Sequence, residues 1–190
     1  MGLGNPGPRY SRTRHNVGFR TVELLAKRLR VNLKRALWKN YLLAAAHHAG
    51  GVLYLVKPLT YMNRSGQIFP DLWSQVKGGA ESLLVVCDTL DLPPGQCRLR
   101  RKGSSAGHKG LSSIIASLGR EDFMRLYIGI GRPGLADREE VPDYVLTSPQ
   151  GEEAERIEEA VATAAEAVLR LLAEEPEKVM NALNQKRAGS

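Results

Sequence analysis

Residues 83–87, LLVVC, restrict the fold more than any other stretch of this chain. Five apolar residues in a row cannot form a strand with one wet face, which would alternate; they predict a strand covered on both sides. The run ends at Asp88-Thr89-Leu90-Asp91, so a carboxylate stands at the strand's carboxyl end. Helical segments are at hand to cover it. In 17–30, Val17, Val22, Leu24, Leu25 and Leu29 fall at helical spacing. Residues 151–173 read as an amphipathic helix with a Glu-rich solvated face, and Pro176 starts a short final helix.

Between them the strand signals are regular. Residues 41–46 and 52–56 read as a hairpin with Gly50-Gly51 at its turn, and 96–101 and 125–131 as further strands. A helix is predicted over 66–76 and another from Leu111 to Leu118; 132–150 reads as a long polar loop. Trp38 and Trp73 fit core positions. Strands alternating with helices predict an α/β sandwich. Its ligands would collect beyond the carboxyl ends of the strands, where Asp88 stands.

No repeat or linker divides the 190 residues, and 43% of them are hydrophobic, enough for one domain with a full core. Two cysteines exclude a disulfide framework and a four-cysteine zinc site. Both fall in strands and read as core thiols. No apolar run reaches the length of a membrane span, and the first residues, MGLGNPGPRY, lack the pattern of a signal peptide. The expectation is a cytoplasmic protein with reduced thiols.

Charge is unevenly placed. Residues 1–110 hold 18 Lys and Arg against 5 Asp and Glu, a net of +13; residues 111–190 hold 9 against 15, a net of −6. A basic half of this kind suits a polyanionic partner. The basic residues are spread over several segments, whereas a membrane-surface helix would gather them on one.

Motifs for several chemistries are missing. There is no G-x-S-x-G elbow, no H-E-x-x-H or C-x-x-C, no Walker A sequence and no G-x-G-x-x-G leading into a helix. His47 and His48 are adjacent in a strand and point to opposite faces, so no metal is expected. What stands out is a set of polar residues in Gly- and Pro-rich turns: Asn5, His15-Asn16, Asn63, Asp88 and His108. Taken singly, the asparagines read as helix caps or Asx-turns. Together they point to chemistry. An imidazole and a carboxylate without a nucleophilic Ser or Cys suit the activation of water. Asparagine amides can grip a peptide backbone and steady an oxyanion.

Five segments carry a resemblance: GLGNPGPRYSRTRHNVGF (2–19), KPLTYMNRSG (57–66), DTLDLPPGQCRLRRKGSSAGHKGLSSI (88–114), RLYIGIGRP (125–133) and PDYVLTSP (142–149). In this order the chain resembles the bacterial peptidyl-tRNA hydrolase family over essentially its whole length. The resemblance implies a single three-layer αβα domain, monomeric, with a twisted mixed sheet and helices on both faces. It implies hydrolysis of the ester between a peptide and the terminal ribose of its tRNA, without metal or cofactor. By position, His15 matches the catalytic histidine and Asp88 the carboxylate that polarises it. Asn5 and Asn63 match asparagines that bind the peptidyl part; Tyr10, Met62 and His108 match residues lining the same crevice. Arg98 and Arg100 fall where the family keeps basic residues near tRNA phosphates, and Arg125 is assigned to the same role.

The chain departs from the pattern in three places. The family's Asn after the crevice histidine is Lys109, assigned here to substrate binding. The Arg-Leu-Arg pattern before GIG reads Arg125-Leu126-Tyr127, and Tyr127 could stack on a base. Where the family has several apolar strand residues leading into GLGNPG, only Met1 and, within the motif, Leu3 remain. A shortened first strand would leave sheet groups unpaired, and an upstream start is an open expectation. A non-catalytic RNA-binding relative on the same fold is the alternative function, and a small-ester hydrolase without RNA is disfavoured by the basic half.

Overall fold

The computed structural model describes residues 1–35, 37–48, 51–133 and 141–185. Two three-stranded sheets are joined by the start of the chain. In the first, β1 (Lys34–Arg35), β2 (Tyr41–His48) and β3 (Gly51–Pro58) are antiparallel. In the second, β6 (Met124–Gly129) lies between β4 (Leu84–Thr89), to which it is parallel, and β5 (Cys97–Arg100), to which it is antiparallel. Gly2 N donates to Val56 O of β3 at 3.0 Å, while Leu3 N donates to Val86 O of β4 at 2.9 Å. Val86 N returns a bond to Met1 O at 2.9 Å. The short first segment therefore pairs on both sides, and the result is one open mixed sheet.

Both faces are covered, as the apolar run requires. On β4, Val85 and Cys87 face a core with Phe69, Leu111 and Ile114, contributed by α2 (Phe69–Leu72) and α3 (Lys109–Leu118). Val86 faces the opposite core, with Val22 and Leu25 of α1 (Val17–Arg28) and Ala160 and Ala164 of α5 (Gly151–Arg170). Val179 and Leu183 of α6 (Pro176–Gln185) complete that layer.

Two close approaches set the site. A Cβ on Gly18 would lie 2.3 Å from Val86 O and 2.4 Å from Leu3 N. The first turn of α1 thus rests directly on the central strands, and the residues just before it hang over the carboxyl end of β4. A Cβ on Gly66 would lie 2.1 Å from Ser113 O, so the segment Met62–Ile68 packs backbone to backbone on α3.

Several expectations are corrected. The helix expected over 66–76 is a 3₁₀ segment, Met62–Ile68, followed by the single turn of α2. Pro70 explains this: it has no N–H to give Gly66 O, so no α-helical ladder can run through it. The polar stretch 132–150 contains a further helix, α4 (Val141–Leu146), with Tyr144 and Val145 buried; residues 134–140 lie outside the described residues. Gly50 of the expected hairpin turn also lies outside them, although β2 and β3 pair as predicted. Trp38 is 90% exposed at a turn with φ 61°, so it is no core residue, whereas Trp73 packs on Phe69 at 5.1 Å between ring centres.

Candidate active site

The site begins with one turn of 3₁₀ helix, Arg14–Asn16. Three residues per turn send consecutive side chains about 120° apart, and here three neighbours go to three places. Arg14 turns to α5 and, buried there, makes a two-pronged pair with Glu153, 2.7 Å on both arms, with Tyr144 stacked beneath its guanidinium at 4.2 Å. His15 turns to Asp88, its Nδ1 2.8 Å from Oδ1. Asn16 turns inward and clamps the backbone of Asn5: Asn5 N donates to Asn16 Oδ1 at 2.8 Å and Asn16 Nδ2 to Asn5 O at 3.0 Å. Asn16 occupies the cap position of α1 but spends its side chain on this clamp, not on capping. Removing it would strand two buried backbone groups, at a cost of about 1–3 kcal/mol each.

Asn5, held in this way, accepts the N–H of Met62 on Oδ1 at 2.8 Å. Its Nδ2 has no partner among the described residues, and the residue lines a cavity of about 1050 Å³. The same cavity is lined by Tyr10, Met62 and Asn63 on one side and by Arg98, Arg100 and Lys102 on the other. His15, Asp88 and His108 stand between them. The strand parity of β5 produces the cationic wall. Cys97 and Leu99 are buried in the core, so Arg98 and Arg100 face away from it. Arg101, after the strand, turns instead to Glu177 of α6.

His108 fixes the protonation of the centre. It is the N-cap of α3, and its Nδ1 accepts the N–H groups of Gly110 and Leu111 at 3.1 and 3.2 Å. A neutral imidazole that accepts on Nδ1 carries its proton on Nε2. That nitrogen therefore donates to Asp88 Oδ1, 3.1 Å away. Asp88 also receives the His15 Nδ1–H, which leaves the lone pair of a neutral His15 on Nε2, with no partner among the described residues. Burial pushes the Asp88 carboxyl up, but the two imidazoles beside it outweigh burial and hold it well below the usual carboxylate range. Burial lowers the affinity of His15 for a proton; the charge and hydrogen bond of Asp88 overcome this and raise it above the ordinary value, with Lys109 opposing.

His15, Asp88 and His108 also offer three ligand atoms within 4.8 Å of one another, a spacing that could hold a metal ion. The His108 bonds speak against that use. With Nδ1 occupied by two backbone donors, a metal on Nε2 would require an imidazolate.

The structure brings most of the residues singled out from the sequence to one cavity. His15, Asp88, Asn5, Tyr10, Met62, Asn63, His108, Lys109, Arg98 and Arg100 all line the one cavity. Arg125 does not. It is fully buried, its guanidinium lies 3.8 Å over Phe123, and it donates to Glu121 O at 2.6 Å and Gly103 O at 2.5 Å. A cation sealed under three backbone carbonyls, that of Phe123 included, has no face for a phosphate. It ties the root of the loop before His108 to β6 instead. Arg64, Lys102 and the face of α4 join the lining and were not assigned to it from the sequence. The parity of β5 pointed to Lys102, whereas the α4 contribution had no local signal.

A carboxylate-braced imidazole at the end of a central strand, opening on a cavity of this size, suits an α/β hydrolytic enzyme. Comparison with known proteins narrows the class. The family profile described as Peptidyl-tRNA hydrolase matches residues 1–190. The peptidyl-tRNA hydrolases of Geobacillus kaustophilus and Bacillus subtilis are each 45% identical over 185 residues, 97% of this chain and 98% and 97% of theirs. The crystal structure of the enzyme from Acinetobacter baumannii is similar at a TM-score of 0.85 and 36% identity, covering 98% of this chain and 92% of that one. The chain belongs to the peptidyl-tRNA hydrolase family.

Proposed function

We propose that the family reaction, hydrolysis of peptidyl-tRNA, runs here through water activated by His15. The observation that carries this is the 2.8 Å approach of His15 Nδ1 to Asp88 Oδ1, which turns the other ring nitrogen into a base. His15 Nε2 takes a proton from water as the water oxygen bonds to the ester carbon. The carbonyl oxygen becomes an oxyanion, and the imidazolium formed is stabilised by ionised Asp88. Collapse of the tetrahedral species breaks the bond to the ribose oxygen, which leaves with the proton from His15. Peptide and free tRNA result.

The asparagine side holds the peptide. Asn5 Nδ2 is the donor left over after the clamp and the Met62 bond, and exposed Asn63 stands beside it along the cavity wall. The cationic side, with Arg98, Arg100 and Lys102, takes the tRNA phosphates. No described helix is long and apolar enough to cross a membrane. We read the chain as a cytoplasmic monomer that needs neither metal nor cofactor.

The test is incubation with N-blocked aminoacyl-tRNA and with the unblocked form. Release from the blocked form alone supports the reading. Tight binding of both without release would return the chain to the alternative of a non-catalytic RNA-binding relative.

A further inference from the structure

Lys109 is a cation set against its own surroundings. It is the first residue of α3, where the positive end of the helix dipole disfavours positive charge. No acidic residue stands in that first turn. Its side chain is exposed, lines the cavity with His15, Asp88 and His108, and makes no ion pair among the described residues. The helix end itself is not a ready anion site, because the N–H groups of Gly110 and Leu111 are given to His108. What reaches the cavity as charge is the side chain.

We infer that Lys109 supplies the positive charge that stabilises the carbonyl oxygen of the ester as water adds to it. The inference rests on the general-base reading of His15. In the ground state Lys109 opposes protonation of His15. Once the oxyanion forms, the ammonium is neutralised locally, and the imidazolium is left with Asp88. Two ion pairs then stand side by side, Asp88 with His15 and the oxyanion with Lys109. Charge present only at the transition state is where such a group accelerates a reaction. Arg98, Arg100 and Lys102, on β5 and just after it, form a separate wall that suits phosphates.

Lys109→Met and Lys109→Arg, in the full chain and beside His15→Ala, test this with N-blocked aminoacyl-tRNA. For Lys109→Met, kcat should fall about 10²-fold, with KM within about threefold and its salt dependence unaltered. The acidic limb of kcat/KM should move to higher pH. The other groups facing His15, Asp88 of β4 and His108 before α3, are unchanged in the variant. Arginine should restore most of kcat, and the melting temperature of the Met variant should hold or rise by about 1–2 °C, since the charge at the helix end is removed. A raised KM with a shallower salt dependence and intact kcat would put the ammonium on a phosphate and overturn the inference. Unchanged kcat and KM would overturn it as well. In both cases an inactive His15→Ala would leave the general-base reading standing, and an active one would remove that reading and this inference together.

Discussion

Two groups of basic side chains in this protein live under opposite conditions. In α1 and the turn just before it, Arg14, Arg20 and Arg28 each meet a glutamate of α5, at 2.7, 2.7 and 3.6 Å. Around the crevice, Arg64, Arg100, Lys102 and Lys109 make no ion pair among the described residues, although the chain has acidic side chains to spare in its second half. Net charge counts both groups alike. Their surroundings separate them. The first group ties α1 and the turn before it to α5, while the second lines the cavity with no acidic partner among the described residues. A charge of +7 for the whole chain therefore understates how basic the crevice is.

The largest expected effect tests what the crevice is for. His15→Ala should reduce turnover by about 10²–10⁴-fold, the span of a general base, while affinity for an uncleaved substrate analogue stays close to that of the parent. Loss of affinity in step with turnover would make His15 a binding residue. Asp88→Asn comes next, with a loss of about 10–100-fold in kcat/KM. Activity requires neutral His15, so it rises with pH through the His15 pKa, which Asp88 holds above the ordinary value. Without that charge the pKa falls, and the acidic limb should shift to lower pH. A limb that stays in place would mean that Asp88 orients the ring without tuning it.

The double change Arg100→Glu and Lys102→Glu sharpens the contrast itself. KM for peptidyl-tRNA should rise about tenfold. The slope of log KM against log salt should flatten by about 0.7 for each single-strand phosphate that the protein no longer neutralises. Unaltered salt dependence would place the RNA on another face.

How much of this was legible beforehand follows from the reach of each interaction. The covered strand, Asp88 at its end and the helices on both sides are local patterns, and they appear as expected. The pairing of His15 with Asp88 spans 73 residues, so its 2.8 Å geometry belongs to the fold, although both residue types stood out in their turns. Asn16 looked like a cap and proved to be a clamp, because a cap and a clamp share one sequence signature. The fate of Arg125 depends on the carbonyls of Gly103, Glu121 and Phe123, which a reading of side chains cannot see. Helix α4 was missed because its six residues are held by distant partners, such as Ile130 O, which accepts the Tyr144 hydroxyl at 2.6 Å. The exposure of Trp38 is the converse case: a large apolar residue suggests a core, but a left-handed turn at the edge of the first sheet carries it outward.

The smallest effect is expected where cations are already matched. Arg28 meets Glu166 at 3.6 Å, and both side chains are largely solvated, at 36% and 62% exposure. A pair of this kind contributes about 0–1 kcal/mol. Arg28→Ala should therefore shift the melting temperature by no more than about 2–4 °C. KM and its salt slope should match the parent, because the glutamates of α5 repel phosphates from that face. Calorimetry and a salt series on the same preparation measure both. A flattened salt slope in Arg28→Ala would mean that the RNA extends across α1 and displaces α5 carboxylates from their arginines. Paired and unpaired cations would then form one continuous track, and the distinction between the two faces would be lost.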